Sequence, residues 1–304
     1  MESIIEVLVL GIQQGGIFSL VGIGLAMVYK STRVLNFAQG ELGTAPAFLA
    51  LLFMLGFDLN GGGAPDRGML VPGTLAAIAA GAVLGVALYL LVIRRLGQVS
   101  AVTSLVATAG VTLLLTAVET NVFENRGRPF PRFVAGGFNL RIIDIVVEYH
   151  TIVILAVLAG IAVLLAAFFR SAMGVALLAT AQDPFAAELQ GVPVERLRAL
   201  SWGVAGALGA LAGVLGAGVF ESLSPGLVTR LFLIPAFVGV VLGGITSMGG
   251  AVVGGFALGI VTQASVEIVT ELELDVSGAP QLTAFAVLLV VLYLRPRGLF
   301  GRAA

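Results

Sequence analysis

Hydrophobic positions along this chain form long runs rather than the alternations or narrow stripes of a water-soluble domain. Runs of about 18 or more mostly apolar residues recur, and each can cross a hydrocarbon core of about 30 Å as a helix. They argue against a β-barrel, whose strands show weak alternation over about ten residues. The pattern predicts an all-α, polytopic membrane protein: one transmembrane domain over residues 1–304, a bundle of eight or nine helices. The predicted spans are roughly 4–28, 37–57, 69–93, 100–123, 145–169, 199–220, 231–247, 250–269 and 276–294.

One stretch of the pattern is ambiguous. GGITSMGG at 243–250 is compatible with a loop, a kink or a re-entrant break between two spans. Glycines elsewhere recur at small-xxx-small spacing, which lets helix backbones approach closely inside a bilayer. We therefore expect a tightly packed bundle at the following pairs: Gly11/Gly15, Gly81/Gly85, Gly209/Gly213, Gly239/Gly243, Gly250/Gly254 and Gly255/Gly259.

Composition narrows the function. The chain is 59% hydrophobic and 11% charged, whereas soluble domains carry about 25% charged residues. It has no cysteine, which excludes disulfides and thiolate metal sites, and its net charge of −1 gives no indication of nucleic acid. Its one lysine, Lys30, follows a tyrosine, so the chain has no phosphate-binding P-loop. Its one histidine, His150, is expected at the level of lipid headgroups, which argues against an enzyme that needs a positioned base. No cofactor is expected in this subunit.

Basic residues predict the orientation, because cytoplasmic loops carry an excess of lysine and arginine. The best assignment has nine spans, with the N-terminus outside and the C-terminus in the cytoplasm. The acidic stretch 271–275 then lies outside, while the loop 124–144 is external despite four arginines. The basic residues placed inside include Lys30, Arg33, Arg94, Arg95, Arg170, Arg196, Arg198, Arg295, Arg297 and Arg302, and those of the external loop are Arg126, Arg128, Arg132 and Arg141.

Residues 34–43, VLNFAQGELG, place three polar side chains where the chain returns towards lipid. Asn36 is predicted to cap the second helix at the inner membrane surface, with Gln39 completing a capping box. Glu41 stays unexplained, and faces either a transport path or a neighbouring helix, because an ionisable residue at membrane depth needs a cavity or a partner. Three further acids lie near predicted outer ends, where they reach water or else line a path: Glu119, Glu221 and Glu267.

The longest predicted cytoplasmic connection, residues 170–198, contains signals for a short helix. Asp183 and Pro184 suit the N-cap and first helical positions, and Gly191 with Pro193 ends the segment. The sequence predicts an amphipathic helix over about 183–191. Its shape suits docking of another protein, the alternative being a loop helix without a function.

Three stretches carry a resemblance to a known family. GIGLAMVYKSTRVLNFAQGELG, TAQDPFAAELQGVPVERLRALSWGVAGALGALAGVL and FVGVVLGGITSMGGAVVGGFALG resemble, in this order, the N-terminal signature, the coupling loop and the late glycine-rich signature of LivH-type permeases. With the spans between them they cover most of the chain. The resemblance implies a fold of the ABC importer permease type, in which this chain is one of two paired transmembrane subunits for branched-chain amino acids.

The resemblance also implies partners and site residues. The partners are a LivM-like second permease, two ATP-binding cassette subunits, an extracytoplasmic substrate-binding protein and the lipid bilayer of a bacterial plasma membrane, with no nucleic acid. The family's coupling pattern matches Ala186, Ala187 and Gly191, with Phe185 where an acid is usual. The implied coupling residues are Asp183, Pro184, Phe185, Ala186, Ala187, Glu188 and Gly191. The candidate pathway residues are Asn36, Gln39, Gly40, Glu41, Thr44, Gly243 and Gly244.

Two further expectations follow from this comparison. Gln39 replaces the family's usual histidine, so this position cannot titrate, and a related substrate such as urea or a short amide stays open. Three external arginines are candidates for docking the binding protein by charge complementarity, the alternative being lipid headgroups: Arg126, Arg128 and Arg132.

Two other functions compete with the importer. A stand-alone secondary transporter would use Glu41 or Glu267 to couple ions to a substrate. A channel or structural role would explain neither the docking helix nor the polar stretch. The short helix at 183–191 favours the importer, since a secondary transporter needs no motor.

Overall fold

The computed structural model describes residues 2–58, 64–97, 99–140, 145–273, 276, 278–295 and 298–300. Within these ranges seven helices are long and apolar enough to cross a membrane, which confirms the predicted polytopic helical protein. The helices are α1 (Glu2–Thr32), α2 (Glu41–Met54), α3 (Leu70–Leu88), α4 (Arg94–Leu96), α5 (Ala101–Phe123), α6 (Tyr149–Arg170), α7 (Ala172–Gln182), α8 (Pro184–Leu189), α9 (Val194–Val219), α10 (Ile234–Gly243), α11 (Met248–Glu271) and α12 (Ala279–Leu294).

Short helical turns extend several of these elements. A 3-10 turn (Phe37–Gln39) precedes α2 and another (Arg67–Met69) precedes α3. A π-helical turn (Tyr89–Ile93) joins α3 to α4, so that this span is continuous from Arg67 to Leu96. A second π-helical turn (Thr229–Leu233) leads into α10.

Every predicted span coincides with a helix, although two of them, Thr229–Gly243 and Ala279–Leu294, are shorter than the other seven. The ambiguous stretch 243–250 is a tight turn between two helices. It forms because Gly244 adopts a positive φ of 98° and Ser247 caps α11 through Gly250 N–H at 3.0 Å. The segment 170–198 contains a helix that was not predicted, α7, whose Leu177 is buried against Met27 and Leu197.

Helices α1 and α9 form the centre of the bundle. Helix α1 packs along α11 and α9, and α9 also packs along α2 and α3. The main apolar core joins Ile17, Leu20 and Ile23 of α1 to Leu208 and Leu215 of α9. Helices α5 and α6 are peripheral, because only about a tenth of the residues in their most apolar 18-residue stretch is buried. Their outer faces therefore meet lipid or another subunit.

Glycines produce the close helix contacts, as the spacing predicted. A Cβ on Gly81 of α3 would lie 2.5 Å from the Gly206 carbonyl oxygen of α9. The same overlap occurs between Gly259 and the backbone of Gly11, and between Gly254 and the backbone of Gly239. Only hydrogen fits at these positions, so the glycine pairs set how closely the helices pack.

The loops sort to two ends of the bundle. Strand β1 (Arg128–Pro129) pairs with β4 (Ser222–Leu223), and β2 (Gly137–Leu140) pairs with β3 (Ile145–Glu148), each antiparallel. These strands belong to loops predicted to lie outside. At the other end, Arg33, Arg94 and Arg198 line one cavity. Arg141, Arg297 and Arg302 lie outside the described residues.

Candidate functional site

Helix α2 begins deep in the bundle. The Phe37 N–H donates to Thr108 Oγ1 at 3.2 Å, and Thr116 Oγ1 donates to Glu41 Oε1 at 2.9 Å. Thr116 lies about 15 residues beyond the start of α5, which is about 22 Å at 1.5 Å per residue. The prediction that α2 begins at the inner membrane surface is therefore wrong. Residues 33–36 are non-helical. Four extended residues cover up to about 13 Å, so this stretch can carry the chain from the end of α1 into the bundle before the next helical turn begins.

The side chains of Asn36 and Gln39 form hydrogen bonds within and around this non-helical stretch. Asn36 Oδ1 accepts from the Ala38 N–H at 3.1 Å, which confirms the predicted cap, although it caps the 3-10 turn. The predicted capping box is wrong, because Gln39 does not return to the Asn36 backbone. It accepts from Asn36 Nδ2 at 3.3 Å and donates from Nε2 to the Ala205 carbonyl of α9 at 2.9 Å. Non-helical backbone persists at membrane depth where protein groups satisfy it in this way.

A second helix start lies beside the first. The chain returns after β4 and resumes a helical course at Leu227. There the Val228 N–H donates to Thr44 Oγ1 at 3.1 Å, and a Cβ on Gly40 would overlap Thr229. Two helix N-termini, each with a partial positive charge, therefore meet inside the bundle. Thr44 and Gly40 are the residues that join them.

One glutamate lies at each of these two helix starts, Glu41 within the helix itself and Glu119 reaching across from α5. Glu41 stands in the first turn of α2 and is 0% exposed; Glu119 of α5 is 3% exposed and accepts from the Gly226 N–H at 3.0 Å. Glu41 Oε2 and Glu119 Oε1 are buried and have no hydrogen-bond partner within the described ranges. The expectation that Glu119 reaches water is wrong, because α5 turns this side chain towards the loop before Thr229. Glu41 itself contacts the neighbouring helix α5 through Thr116.

Arg230 adds a positive group to this polar centre, which we define as Glu41, Thr116, Glu119, Gly226 and Arg230. A Cβ on Gly226 would lie 3.6 Å from Glu41 Oε1 and 3.7 Å from Arg230 Nε, so Gly226 separates the two side chains. Gly226 also has a positive φ of 69°, which favours glycine. Arg230 is exposed and donates to Ser224 Oγ at 2.8 Å. Sequence reasoning missed Thr116, Gly226 and Arg230; an arginine directly before a predicted span was the available signal.

Gly243 and Gly244 lie elsewhere. They stand at the C-terminal end of α10, where Gly243 packs on the backbone of Gly250 and its carbonyl accepts from the Phe300 N–H at 3.1 Å. Of the seven candidate pathway residues, the structure brings together five, at the start of α2, and not these two. The five are Asn36, Gln39, Gly40, Glu41 and Thr44.

The predicted docking helix is present as α8. Asp183 Oδ1 accepts from the Ala186 N–H at 3.0 Å, Pro184 is the first helical residue and Gly191 has a φ of 79° beyond the end, which confirms the predicted caps. Phe185 and Leu189 are 71% and 72% exposed, while Ala187 faces the protein. Helix α8 thus presents two apolar side chains outward.

The arginines predicted to lie outside have partners within the chain. Arg132 forms ion pairs with Glu148 at 2.7 Å and with Glu221 at 3.3 Å. The partner of Glu221 is therefore an arginine of this loop. Arg126 pairs with Glu124, and Arg128 Nε donates to the Phe123 carbonyl at 3.3 Å.

His150 is buried, contrary to its expected place among headgroups. Its Nε2 is 3.0 Å from the Leu215 carbonyl, and its ring stacks with Phe133. It therefore links the start of α6 to α9.

Comparisons with known proteins agree with this architecture. The family model described as branched-chain amino acid transport system / permease component matches residues 7–302. The high-affinity branched-chain amino acid transport system permease protein BraD of Pseudomonas aeruginosa is 30% identical, over 98% of this chain and 96% of the relative. Permease protein LivH of Escherichia coli is 28% identical, over 96% of this chain and 94% of the relative.

A solved structure shares the fold. PsaBC from Streptococcus pneumoniae, in complex with Fab, superposes with a TM-score of 0.50 at 19% identity, over 96% of this chain and 91% of that chain. The predicted resemblance to LivH-type permeases is thus confirmed over almost the whole sequence. This chain belongs to the branched-chain amino acid transport system permease component family, and it is a multi-pass membrane protein with a permease role.

Proposed function

We propose that the chain is one of two permease subunits of an ATP-driven importer for branched-chain amino acids or a related small solute. The observation that carries the proposal is the outward pair Phe185 and Leu189 on the capped helix α8. Side chains at i and i+4 share one face of a helix, and an amphipathic helix can lay such a face into a groove of another protein. An ATP-binding subunit that binds α8 would transmit its movement to α9, which α8 contacts.

ATP hydrolysis is assigned to two separate ATP-binding cassette subunits, since this chain has no P-loop. The second permease is LivM-like and would lie against the peripheral helices α5 and α6. An extracytoplasmic binding protein would deliver the substrate. Arg126 is the better docking candidate, since its side chain is 74% exposed whereas that of Arg132 is 22% exposed and holds two acids.

The proposed orientation has α8 in the cytoplasm of a bacterial cell, the N-terminus outside and the C-terminus inside. Arg33, Arg94 and Arg198 then share the cytoplasmic end of the bundle, as the excess of basic residues on that side requires. The paired strands β1 and β4 lie at the opposite end.

The polar centre is the proposed position of the substrate path. An amino acid is a zwitterion, and the guanidinium of Arg230 beside the carboxyl groups of Glu41 and Glu119 offers a partner of each sign. Helices that start inside the bilayer commonly bind substrates at their N-termini. Gln39 and Asn36 support this site from below rather than line it, because both are engaged with backbone or with each other.

The proposal is tested by co-purification. The chain is expressed with the ATP-binding and permease subunits encoded beside it, and we expect two ATP-binding subunits to co-purify. The double variant Phe185→Ser with Leu189→Ser loses them, whereas Val175→Ser, an exposed position on neighbouring α7, retains them. Unchanged co-purification of the double variant would refute the role of α8.

A secondary transporter is the second candidate, favoured by the buried acids at two helix starts. Uptake measured in cells that lack the ATP-binding subunits separates the two functions. The importer predicts no uptake, and the secondary transporter predicts uptake that follows an ion gradient.

A further inference from the structure

A cavity of about 440 Å³ opens at the proposed cytoplasmic end of the bundle, far from the polar centre. It lies between the end of α1, the π-helical turn with α4, the start of α5 and the start of α9. None of the residues assigned to coupling or to the pathway lines it. Its polar lining consists of Thr32, Arg33, Arg94, Ser104, Glu195 and Arg198, together with Tyr89.

The charges of this cavity do not cancel. Glu195 is shared: it pairs with Arg94 at 3.0 Å and with Arg198 at 3.3 Å, and it also accepts from Tyr89 Oη at 3.0 Å. Arg33 has no carboxylate within salt-bridge distance among the residues that the structure describes, and its guanidinium lies over the Tyr29 ring. Three guanidinium groups face one carboxylate, so the lining has an excess of two positive charges.

Arg198 also has an unused hydrogen-bond donor. Its Nε is buried and has no partner in the described part of the chain. A buried donor without a partner is uncommon and is normally satisfied by a group outside the protein chain. Guanidinium groups bind phosphate oxygens through two parallel hydrogen bonds. Nη1 of Arg198 already donates to Glu195 Oε1, so Nε is the donor that a phosphate oxygen would take.

The surroundings indicate that the anion carries acyl chains. Apolar side chains line the cavity together with the charged ones: Val34, Ile93 and Val99, of which Val99 is exposed. A soluble anion would leave these apolar side chains uncovered, whereas a phospholipid brings acyl chains to the same place as its phosphate. Basic pockets between transmembrane helices on the cytoplasmic side bind anionic lipid headgroups.

We propose that this cavity binds the phosphate of an anionic phospholipid of the cytoplasmic leaflet through Arg33, Arg94 and Arg198. The proposal rests on the orientation given above and not on the transported substrate. A bound lipid would tie the ends of α1, α4 and α9 together at the level of the headgroups.

Thermal unfolding of the full-length chain in a non-ionic detergent tests the proposal. Phosphatidylglycerol in mixed micelles is expected to raise Tm, whereas phosphatidylcholine and inorganic phosphate leave it unchanged. Arg198→Gln and Arg33→Gln each raise the mole fraction of phosphatidylglycerol needed for half the shift by about tenfold, as loss of one charge-assisted hydrogen bond predicts.

Matched controls separate a site from general surface charge. Arg196→Gln and Arg95→Gln remove the same charge from exposed positions on α9 and α4 that do not line the cavity, and we expect both to respond like the wild type. Arg33→Gln breaks no ion pair with the described carboxylates, so a weaker response of this variant cannot be explained by misfolding through a lost ion pair. An equal shift with inorganic phosphate would overturn the lipid assignment. No shift with phosphatidylglycerol, or equal losses in the control variants, would overturn the site.

Discussion

Thr116 of α5 donates its hydroxyl to Glu41 Oε1 of α2 across 2.9 Å, between residues that are 75 apart in sequence. Helix α5 has few other anchors: its buried residues are Ser104, Thr108, Glu119 and Phe123. Three of these four are polar, and two of them bond to non-helical segments, Thr108 to the Leu35 carbonyl and Glu119 to the Gly226 N–H. Helix α5 is therefore held to the bundle largely by hydrogen bonds, as is usual where apolar contact with lipid competes with apolar contact with protein.

Thr116→Val removes the donor to Glu41 and keeps the shape of the side chain. We expect a loss of about 1–2 kcal/mol in stability, because a buried carboxylate loses a hydrogen bond in a medium where such bonds are modest. Thermal unfolding of the detergent-solubilised protein measures the loss. Thr120→Val is the matched control, since its hydroxyl bonds only to the Thr116 carbonyl of its own helix. Equal losses in both variants would contradict a bond specific to Glu41.

Glu41→Gln removes the ionisable carboxyl group at the start of α2 while keeping size and hydrogen-bonding capacity. With the substrate path at the polar centre, we expect uptake to fall by about tenfold or more, as loss of one ionic contact predicts, with assembly intact. Glu267→Gln is the control. Glu267 lies half-buried on α11 and does not belong to the polar centre, so the same substitution there should leave uptake through this path unchanged. Uptake of a labelled branched-chain amino acid, normalised to membrane-inserted protein, is the measurement. Normal uptake by Glu41→Gln would exclude a role in the path.

Gly81→Ala places a methyl group 2.5 Å from the Gly206 carbonyl oxygen of α9. Helices α3 and α9 must then move apart, and we expect a loss of about 1–3 kcal/mol, typical of overpacking. Gly110→Ala on α5 is the control, because no described atom lies within 4 Å of its added methyl group. Its stability should be unchanged or slightly raised, since alanine favours a helix over glycine. A Tm of Gly81→Ala equal to that of Gly110→Ala would refute the tight contact.

Arg132→Gln breaks both ion pairs that join β3 to Glu221. Its side chain is 22% exposed and that of Glu148 is 28% exposed, whereas that of Glu221 is 62% exposed, so we expect a loss of about 1–2 kcal/mol, mainly from the pair with Glu148. Arg126→Gln breaks a pair whose arginine is 74% exposed and should change stability by less than about 0.5 kcal/mol. Denaturation of the two variants side by side is the measurement. A destabilising Arg126→Gln would show that the loop between α5 and α6 depends on charge in a way that the contacts do not explain.

The amino-acid sequence was sufficient for the local features. Long apolar runs predicted the nine spans, although not α7, because a span must be apolar along its whole length to cross lipid. Asp183, Pro184 and Gly191 predicted the ends of α8, since capping depends on neighbours in the chain. The glycine pairs likewise predicted close packing, because the absence of a Cβ is a property of the residue itself.

Only the tertiary structure decided which polar groups meet. Glu41, Glu119 and Arg230 come from three distant segments, and nothing local to any of them indicates the others. The depth of α2 was equally hidden, because residues 33–40 look like a surface loop unless Thr108 and Ala205 are known to satisfy their polar groups. The physical reason is that lipid is as apolar as a protein core. A membrane helix therefore carries no strong hydrophobic stripe to show which face is inward, and the pairing of its few polar residues becomes visible only when the helices are packed together.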